Sequence, residues 1–276
     1  MQMGLLLLIL YSALVIYPPY SNQIPPPEIG NKQTFILPDN YNENLDKKTG
    51  YGSKTGRWFL SNKGGHVGFS ISAGYQKNGS TVNAELNEGL PNKDVRFRLT
   101  KLDKSFRPIL VLDEKILSSK KNTDKISYSK QLLQNQDVLY LLSVEVLGEN
   151  KEVEDTLLSV VCVPIQELNS SMVLDKQKYT DEETMELNIK NDGPTEIMTG
   201  LPYQIQKLNM NKWEVVPNKM AFTLQGIRVQ SGEVYEQKIS LKDLSEGNYR
   251  ILKEVEVLQI KEPKMTLSAE FEVISK

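Results

Sequence analysis

"SEGNYRILKEVEVLQIKE", residues 245–262, decides the architecture because its apolar positions fit two incompatible periods. Spaced as Ile251, Val255 and Leu258, they form one stripe of a helix; spaced as Tyr249, Ile251, Val255 and Val257, they form one face of a strand. The neighbouring sequence chooses between them. Just downstream, "MTLSAEFEV" puts Met265, Leu267, Ala269, Phe271 and Val273 on one face and Thr266, Ser268, Glu270 and Glu272 on the other, the pattern of a half-buried antiparallel strand. Upstream, "MELNIK" alternates in the same way, with Met185, Leu187 and Ile189 inward, and the turn-forming "NDGP" follows at once.

Further short runs, "SMVLD", "LPYQIQKLN", "KWEVVP" and "EVYEQKISL", are bounded by Gly, Pro, Asn or Ser, and together imply a two-sheet sandwich. In that setting "LSEGNY" places Leu244, Gly247 and Tyr249 in the L-x-x-G-x-Y spacing of a tyrosine corner, whose phenol hydrogen-bonds back to the chain entering the strand. A helix would make that Gly and Tyr incidental.

Comparing the chain with itself shows a weak repeat at an offset of roughly 107 residues, the length of a sandwich domain. "FRLTKLDKSF" (97–106) matches "YQIQKLNMNKW" (203–213), and "YSKQL" (128–132) matches "YEQKI" (235–239). "YLLSVEVL" (140–147) falls opposite "YRILKEVEVL" (249–258), and "TLLSVVCV" (156–163) opposite "TLSAEFEV" (266–273). Tyr140 then corresponds to Tyr249, with Asp137 nearby in place of the corner glycine.

The totals agree with a globular chain. At 276 residues there is room for about two domains, and 39% hydrophobic with 25% charged residues is ordinary globular composition. With 33 basic against 35 acidic residues the net charge is -2, which disfavours electrostatic capture of nucleic acid. One cysteine, Cys162, cannot form an internal disulfide or a zinc site, and its place in "TLLSVVCVP" is that of a small buried hydrophobe.

"GLLLLILYSALVIY", from Gly4 to Tyr17, is an uncharged apolar run ending at Pro18 and Pro19, nearer in length to a secretory signal core than to a spanning helix. No Lys or Arg precedes it and no small-x-small cleavage site follows, so a cleaved signal and a retained anchor both remain open; either exports the rest. The following Pro-, Asn- and Gly-rich stretch reads as a linker. In it, "GYGSKTGRW" has the letters but not the order of a phosphate-binding loop.

At "LDKQKYTDEETMELNIKNDGPTEI", "GLPYQIQKLNMNKWEVVP" and "SGEVYEQKISLKDLSEGNYRI" the chain resembles the bacterial immunoglobulin-like domains of exported and surface proteins of Gram-positive bacteria, over about residues 170–257. The resemblance implies a sandwich in which Tyr179 closes the first strand, Trp213 fills the core and Gly232-Glu233 turn the chain before the fifth strand. It implies export and no shared catalytic residue.

Reactive groups are few. His66, in "NKGGHVGF", is the single histidine, so any Ser-His-Asp or Cys-His arrangement would be built on it, and its flanking glycines read as a turn into a strand. Asp181, Glu182 and Glu183, with Asp103 and Asp192, read as solvated turn charges rather than an acid/base pair or a calcium loop. Trp213, Tyr203, Tyr235 and Tyr249 read as core aromatics rather than a sugar-stacking platform, while Trp58, behind the linker, reads as exposed.

The sequence therefore predicts an all-β chain of two tandem immunoglobulin-like sandwiches. Residues 1–20 form a signal peptide or membrane anchor, 21–57 a linker, 58–166 a divergent sandwich and 167–276 a bacterial immunoglobulin-like domain. Tyr249, Gly247, Trp213 and Tyr140 are expected in structural roles, with no catalytic, cofactor or metal residue. The expected function is a non-catalytic extracytoplasmic binding or spacer module at the cell surface, whose partner is a protein or cell-envelope ligand and whose N-terminal segment could meet the membrane. The alternatives are a proteinase inhibitor acting through a sandwich loop, and a hydrolase on a sandwich scaffold.

Overall fold

The computed structural model describes residues 34–51, 55–118, 125–217, 221–223, 225–258, 260 and 263–275; the apolar run at Gly4–Tyr17 lies outside them. The first set of strands is β1 (Phe69–Ile71), β2 (Gly74–Tyr75), β3 (Thr81–Leu86), β4 (Asp94–Leu102), β5 (Pro108–Ser118), β6 (Ile126–Gln131), β7 (Val138–Leu147) and β8 (Val153–Val163). They form a three-stranded sheet, β1-β3-β6, facing a five-stranded sheet, β2-β8-β7-β4-β5. Val82, Ala84, Leu86 and Tyr128 of the small sheet share one core with Val95, Phe97, Leu142, Val144 and Val161 of the large one.

The second set is β9 (Ser170–Leu174), β10 (Lys178–Thr180), β11 (Thr184–Asn191), β12 (Ile197–Gly200), β13 (Gln204–Asn209), β14 (Lys212–Val215), β15 (Gly226–Val229), β16 (Val234–Ser240), β17 (Gly247–Val257) and β18 (Lys264–Ile274). The decisive stretch is a strand: in β17 Tyr249, Ile251, Val255 and Val257 are all buried. Sheet β9-β11-β16 faces β10-β18-β17-β13-β14, with β12 and β15 added beside β17. The two sandwiches connect their strands alike. In each, a short strand runs parallel to the last strand (β2 to β8, β10 to β18), and a central antiparallel pair (β7-β8, β17-β18) carries the next hairpin (β4-β5, β13-β14).

One difference separates them. In β17 and β18 buried and exposed positions alternate, but β7 is buried at nine of its ten positions. A sheet reads as a continuous apolar run when both faces are covered, and residues 34–51 supply a second cover over part of it. Phe35, Leu37, Tyr41, Leu45 and Tyr51 pack on Leu102, Leu139, Leu141, Val160 and Cys162 of the outer face, with the short helix α1 (Leu45–Thr49) inserting fully buried Leu45. The expectation of a linker over 21–57 is thus corrected from Thr34 onward. Its apolar residues are too sparse to show a strand or helix period, yet enough to cap a sheet that is distant in sequence.

Beyond the residues at 52–54 the strap is pinned by a buried carboxylate. Asp155 accepts Gly56 N at 3.0 Å and Thr156 N at 2.9 Å on one oxygen, and Trp58 N at 2.8 Å on the other. The Trp58 indole donates to Glu154 at 3.1 Å and packs against the first core, so it is half-buried rather than exposed. At the other end Thr34 ties the sandwiches together: its hydroxyl accepts Ile165 N at 2.9 Å, and its own N–H donates to Pro194 O at 3.0 Å.

Cys162 lies under this strap, 1% exposed, with its thiol 3.9 Å from Phe35 O and its pKa pushed up to about 12 by burial. Replacing Asp155 by Ala leaves three backbone N–H groups without their acceptor, and is expected to lower the stability of the first sandwich by about 3 kcal/mol. Urea unfolding followed by tryptophan fluorescence checks this, since Trp58 reports on the strap; a change within 0.5 kcal/mol, the ordinary range for a surface site, would refute the pinning role.

Candidate functional site

Of the residues expected in structural roles, Tyr249 is tied to the chain that enters its strand. Its hydroxyl donates to Ser245 O at 2.5 Å, four residues back, and its ring stacks on Phe271 at 5.5 Å. Gly247, at φ 149°, lets the chain turn beneath Lys207, whose ammonium binds Glu246 O at 2.9 Å and Ser245 Oγ at 2.7 Å. Tyr179 is likewise locked, its hydroxyl 2.8 Å from both the Asp175 carboxylate and Lys176 O, and Gly232, at φ 82°, makes the turn before β16.

Tyr140 and Trp213 are placed differently from Tyr249. Tyr140 is buried in the first core, but its hydroxyl has no hydrogen-bond partner, so no second corner forms there. The turn before β7 is held instead by Asp137, at φ 57°, which accepts Phe35 N at 2.9 Å and Lys104 Nζ at 2.6 Å. Trp213 does not fill the core. It lies half-exposed on the outer face of the β13-β14 edge hairpin, with the Arg250 guanidinium 4.6 Å over its ring, because β14 has a neighbour on one side only.

The sequence-level candidates for chemistry stay apart. His66 is exposed, in the turn that leads to β1. Glu183 pairs with Lys176 at 2.5 Å, Asp103 with Arg107 at 2.8 Å and Asp192 with Lys190 at 2.7 Å, each a local surface pair. Among the described residues no group of three or more His, Cys, Asp or Glu is placed to hold a metal ion.

What the alternation passed over is Lys253. It occupies the inward slot between Ile251 and Val255, is 1% exposed, and sits where the sheet is broken. Strand β17 pairs along one edge with β13 as far as Leu252↔Gln204, and again with β12 from Glu256↔Met198. Between those pairings the chain at Leu201-Pro202-Tyr203 leaves the ladder, as a residue without an N–H requires. Lys253, Glu254 and Val255 therefore have no strand partner on that edge.

Side chains replace the missing ladder. Thr199 Oγ1 donates to Glu254 O at 2.8 Å, the Lys253 ammonium donates to Gly200 O and to Gln237 Oε1 (2.7 Å), and Gln237 Nε2 donates to Leu201 O at 2.9 Å. The acceptors of the Lys253 ammonium are neutral. The Tyr235 ring lies 5.8 Å away, and desolvation pushes the Lys253 pKa down to about 8.

Two clefts flank the break. One, about 680 Å³, opens along the gap between Met198, Gly200, Pro202 and Gln225, and its rim carries Glu254, Glu256 and Lys264. The other, about 440 Å³, is walled by Leu201, Tyr203, Phe222, Tyr235, Gln237 and Ile239, with the Tyr203 and Phe222 rings edge to face at 5.1 Å. A charged residue in an inward slot, next to "TGLPY" in the facing strand, is the sequence signal that could have located this site.

Residues 166–272 match the family model described as the bacterial Ig-like domain. No curated protein matches the chain. Among solved structures it is similar, at 10% identity and a TM-score of 0.29 in both cases, to red sea bream transglutaminase and to Escherichia coli alpha-2-macroglobulin activated by porcine elastase. The matches cover 78% and 75% of this chain but only 33% and 22% of those chains, and at that similarity no property of either transfers.

Lys253 also sets a pH dependence. Its native pKa lies below the unfolded value of about 10.4, so the unfolded state binds more protons and stability rises as pH climbs through that window. The second sandwich is expected to gain about 2 kcal/mol between pH 7.5 and 9.5. Lys253→Met should abolish the gain in chemical denaturation, and a slope unchanged in the variant would contradict the assignment.

Proposed function

We propose that this chain is a non-catalytic extracytoplasmic module of two tandem immunoglobulin-like sandwiches, acting at the cell surface in binding or as a spacer. The family match at residues 166–272 carries the reading. The same strand order in residues 69–163 supports a related first copy, and the apolar run at Gly4–Tyr17 supports export.

The edge strand β5 favours binding over a purely passive spacer. It is 11 residues long, borders the five-stranded sheet, and exposes Ile109, Leu110, Val111 and Ile116 at 58, 57, 46 and 47%. Asp113, Glu114 and Lys115 blunt the middle of this edge, while the apolar end at Ile109–Val111 is uncharged, and unpaired edges recruit extended partners. The partner would be a protein or another component of the cell envelope.

In intact producing cells, the chain is expected to be digested by an added protease that leaves a cytoplasmic control protein whole. Protection in intact cells together with digestion after lysis would overturn the extracytoplasmic reading.

A further inference from the structure

The outer face of the sheet built on β17 joins an exposed indole to a cleft. Residues directly opposite each other in a ladder share a face. Trp213 opposes Leu208, Val215 opposes Gln206, Gln206 opposes Arg250 and Gln204 opposes Leu252, so all of these lie on the solvent side, away from Tyr249, Ile251 and Val255. Ser268 and Thr266 of β18 join them, opposite Leu252 and Glu254. The larger cleft, of about 680 Å³, opens on this same side, where Met198, Gln204, Leu252, Glu254, Glu256 and Thr266 line it. Its volume is that of an ordinary small-ligand site.

Between cleft and indole runs a fixed polar relay. Gln204 is both a wall of the cleft and one end of the relay. Its Oε1 accepts Gln206 Nε2 at 2.7 Å, Gln206 Oε1 accepts Arg250 Nε at 2.7 Å, and the Arg250 guanidinium lies 4.6 Å over the Trp213 ring. Arg250 is thereby tied to the sheet and holds the half-exposed indole in place. A side chain already fixed in this way loses little rotamer freedom when a ligand settles on it. Gln204 and Leu208, the residue opposite the indole, are four positions apart on β13, roughly 13 Å.

The composition of this face selects a ligand class. Its most exposed apolar groups, Trp213 and Val215, stand on β14 at the rim of the sheet, whereas a protein interface carries its apolar core at the centre. Three carboxylates, Glu254, Glu256 and Glu270, face two cations, Arg250 and Lys264, which disfavours an anionic polymer. A pyranose ring has an apolar face of C–H groups that stacks on an indole. Its rim of hydroxyls donates and accepts, and so pairs with amides, alcohols and carboxylates alike.

We propose that the outer face of β18-β17-β13-β14 is a glycan-binding site. The cleft holds one end of a neutral oligosaccharide through Gln204, Glu254 and Thr266, and Trp213 stacks a sugar ring further along the same chain. The inference rests on the binding-module reading and gives that module a ligand class, a neutral polysaccharide.

The test is an array of neutral and acidic glycans probed with the purified full chain, followed by calorimetry with the neutral oligosaccharides it retains, cello- and chito-oligosaccharides of increasing length among them. Neutral glycans are expected to bind, with an affinity that rises with length until the chain spans cleft and indole. Trp213→Ala is expected to weaken the longer oligosaccharides at least about tenfold and to remove the gain with length. Trp213→Phe, which keeps an aromatic face, should retain most of it, and Gln204→Ala should weaken short and long oligosaccharides alike. Trp213 lies outside the core, and a cooperative thermal transition in each variant confirms that it is folded. No binding to any neutral glycan on the array, tighter binding of acidic ones, or an unchanged affinity in folded Trp213→Ala would each overturn the proposal and leave Trp213 and Arg250 as a surface stack that braces the β13-β14 hairpin. None of those results touches the extracytoplasmic location of the chain, which the protease test reads independently.

Discussion

A strand in the middle of a sheet must find hydrogen-bond partners along both edges, and in the second sandwich everything of interest follows from the one place where β17 does not. Its edge toward β18 is paired from Gly247 to Glu256, so the strand is firmly fixed. The opposite edge is served by two strands in succession, with Pro202 between them. Three residues of backbone are left over, and the polar side chains of Thr199, Gln237 and Lys253 fill in. Because Lys253 must reach its acceptor from the inner face, a charge is carried into a core otherwise made of Tyr249, Ile251, Val255 and Phe271. The clefts on either side are the space that the departing strand vacates.

The first sandwich meets a different requirement with the same strand order. Its central pair, β7 and β8, is largely buried on both faces, and a single opposing sheet covers only one of them. Residues 34–51 cover the other at Leu139, Leu141, Val160 and Cys162 and continue into the junction through Thr34, Ile165 and Pro194. Buried backbone groups in such an irregular segment need explicit acceptors, which is why Asp155 and Asp137 point at N–H groups of the strap.

How much of this was legible in the sequence depended on the range of the physics involved. Alternation is local, and β11, β17 and β18 could be placed from Met185-Leu187-Ile189, Tyr249-Ile251 and Leu267-Phe271-Val273 alone. The corner at Tyr249 was legible because its acceptor lies four residues back. Trp213 was misread because burial of an aromatic on a strand depends on which neighbour lies outside it, and β14 has none. Tyr140 is buried in the first core, but sequence position alone does not supply an acceptor for its hydroxyl. The strap resembled a linker because the surface it covers is formed by residues about one hundred positions away, beyond any periodicity. Lys253 interrupts the apolar face of β17, and that interruption is the one sign of the site that the sequence carries.

The thiol of Cys162 gives this molecule an internal clock. It is the single cysteine in the chain, it is closed off by the Phe35 segment, and burial keeps it protonated. Alkylating reagents attack the thiolate of an exposed cysteine, so the protein reacts only during the fraction of time that the cover lifts from β8. The alkylation half-time then measures a local opening free energy, separate from global unfolding, without any introduced label. If mechanical load or a partner drawn to the β5 edge loosens the first sandwich, this one sulfur atom will register it.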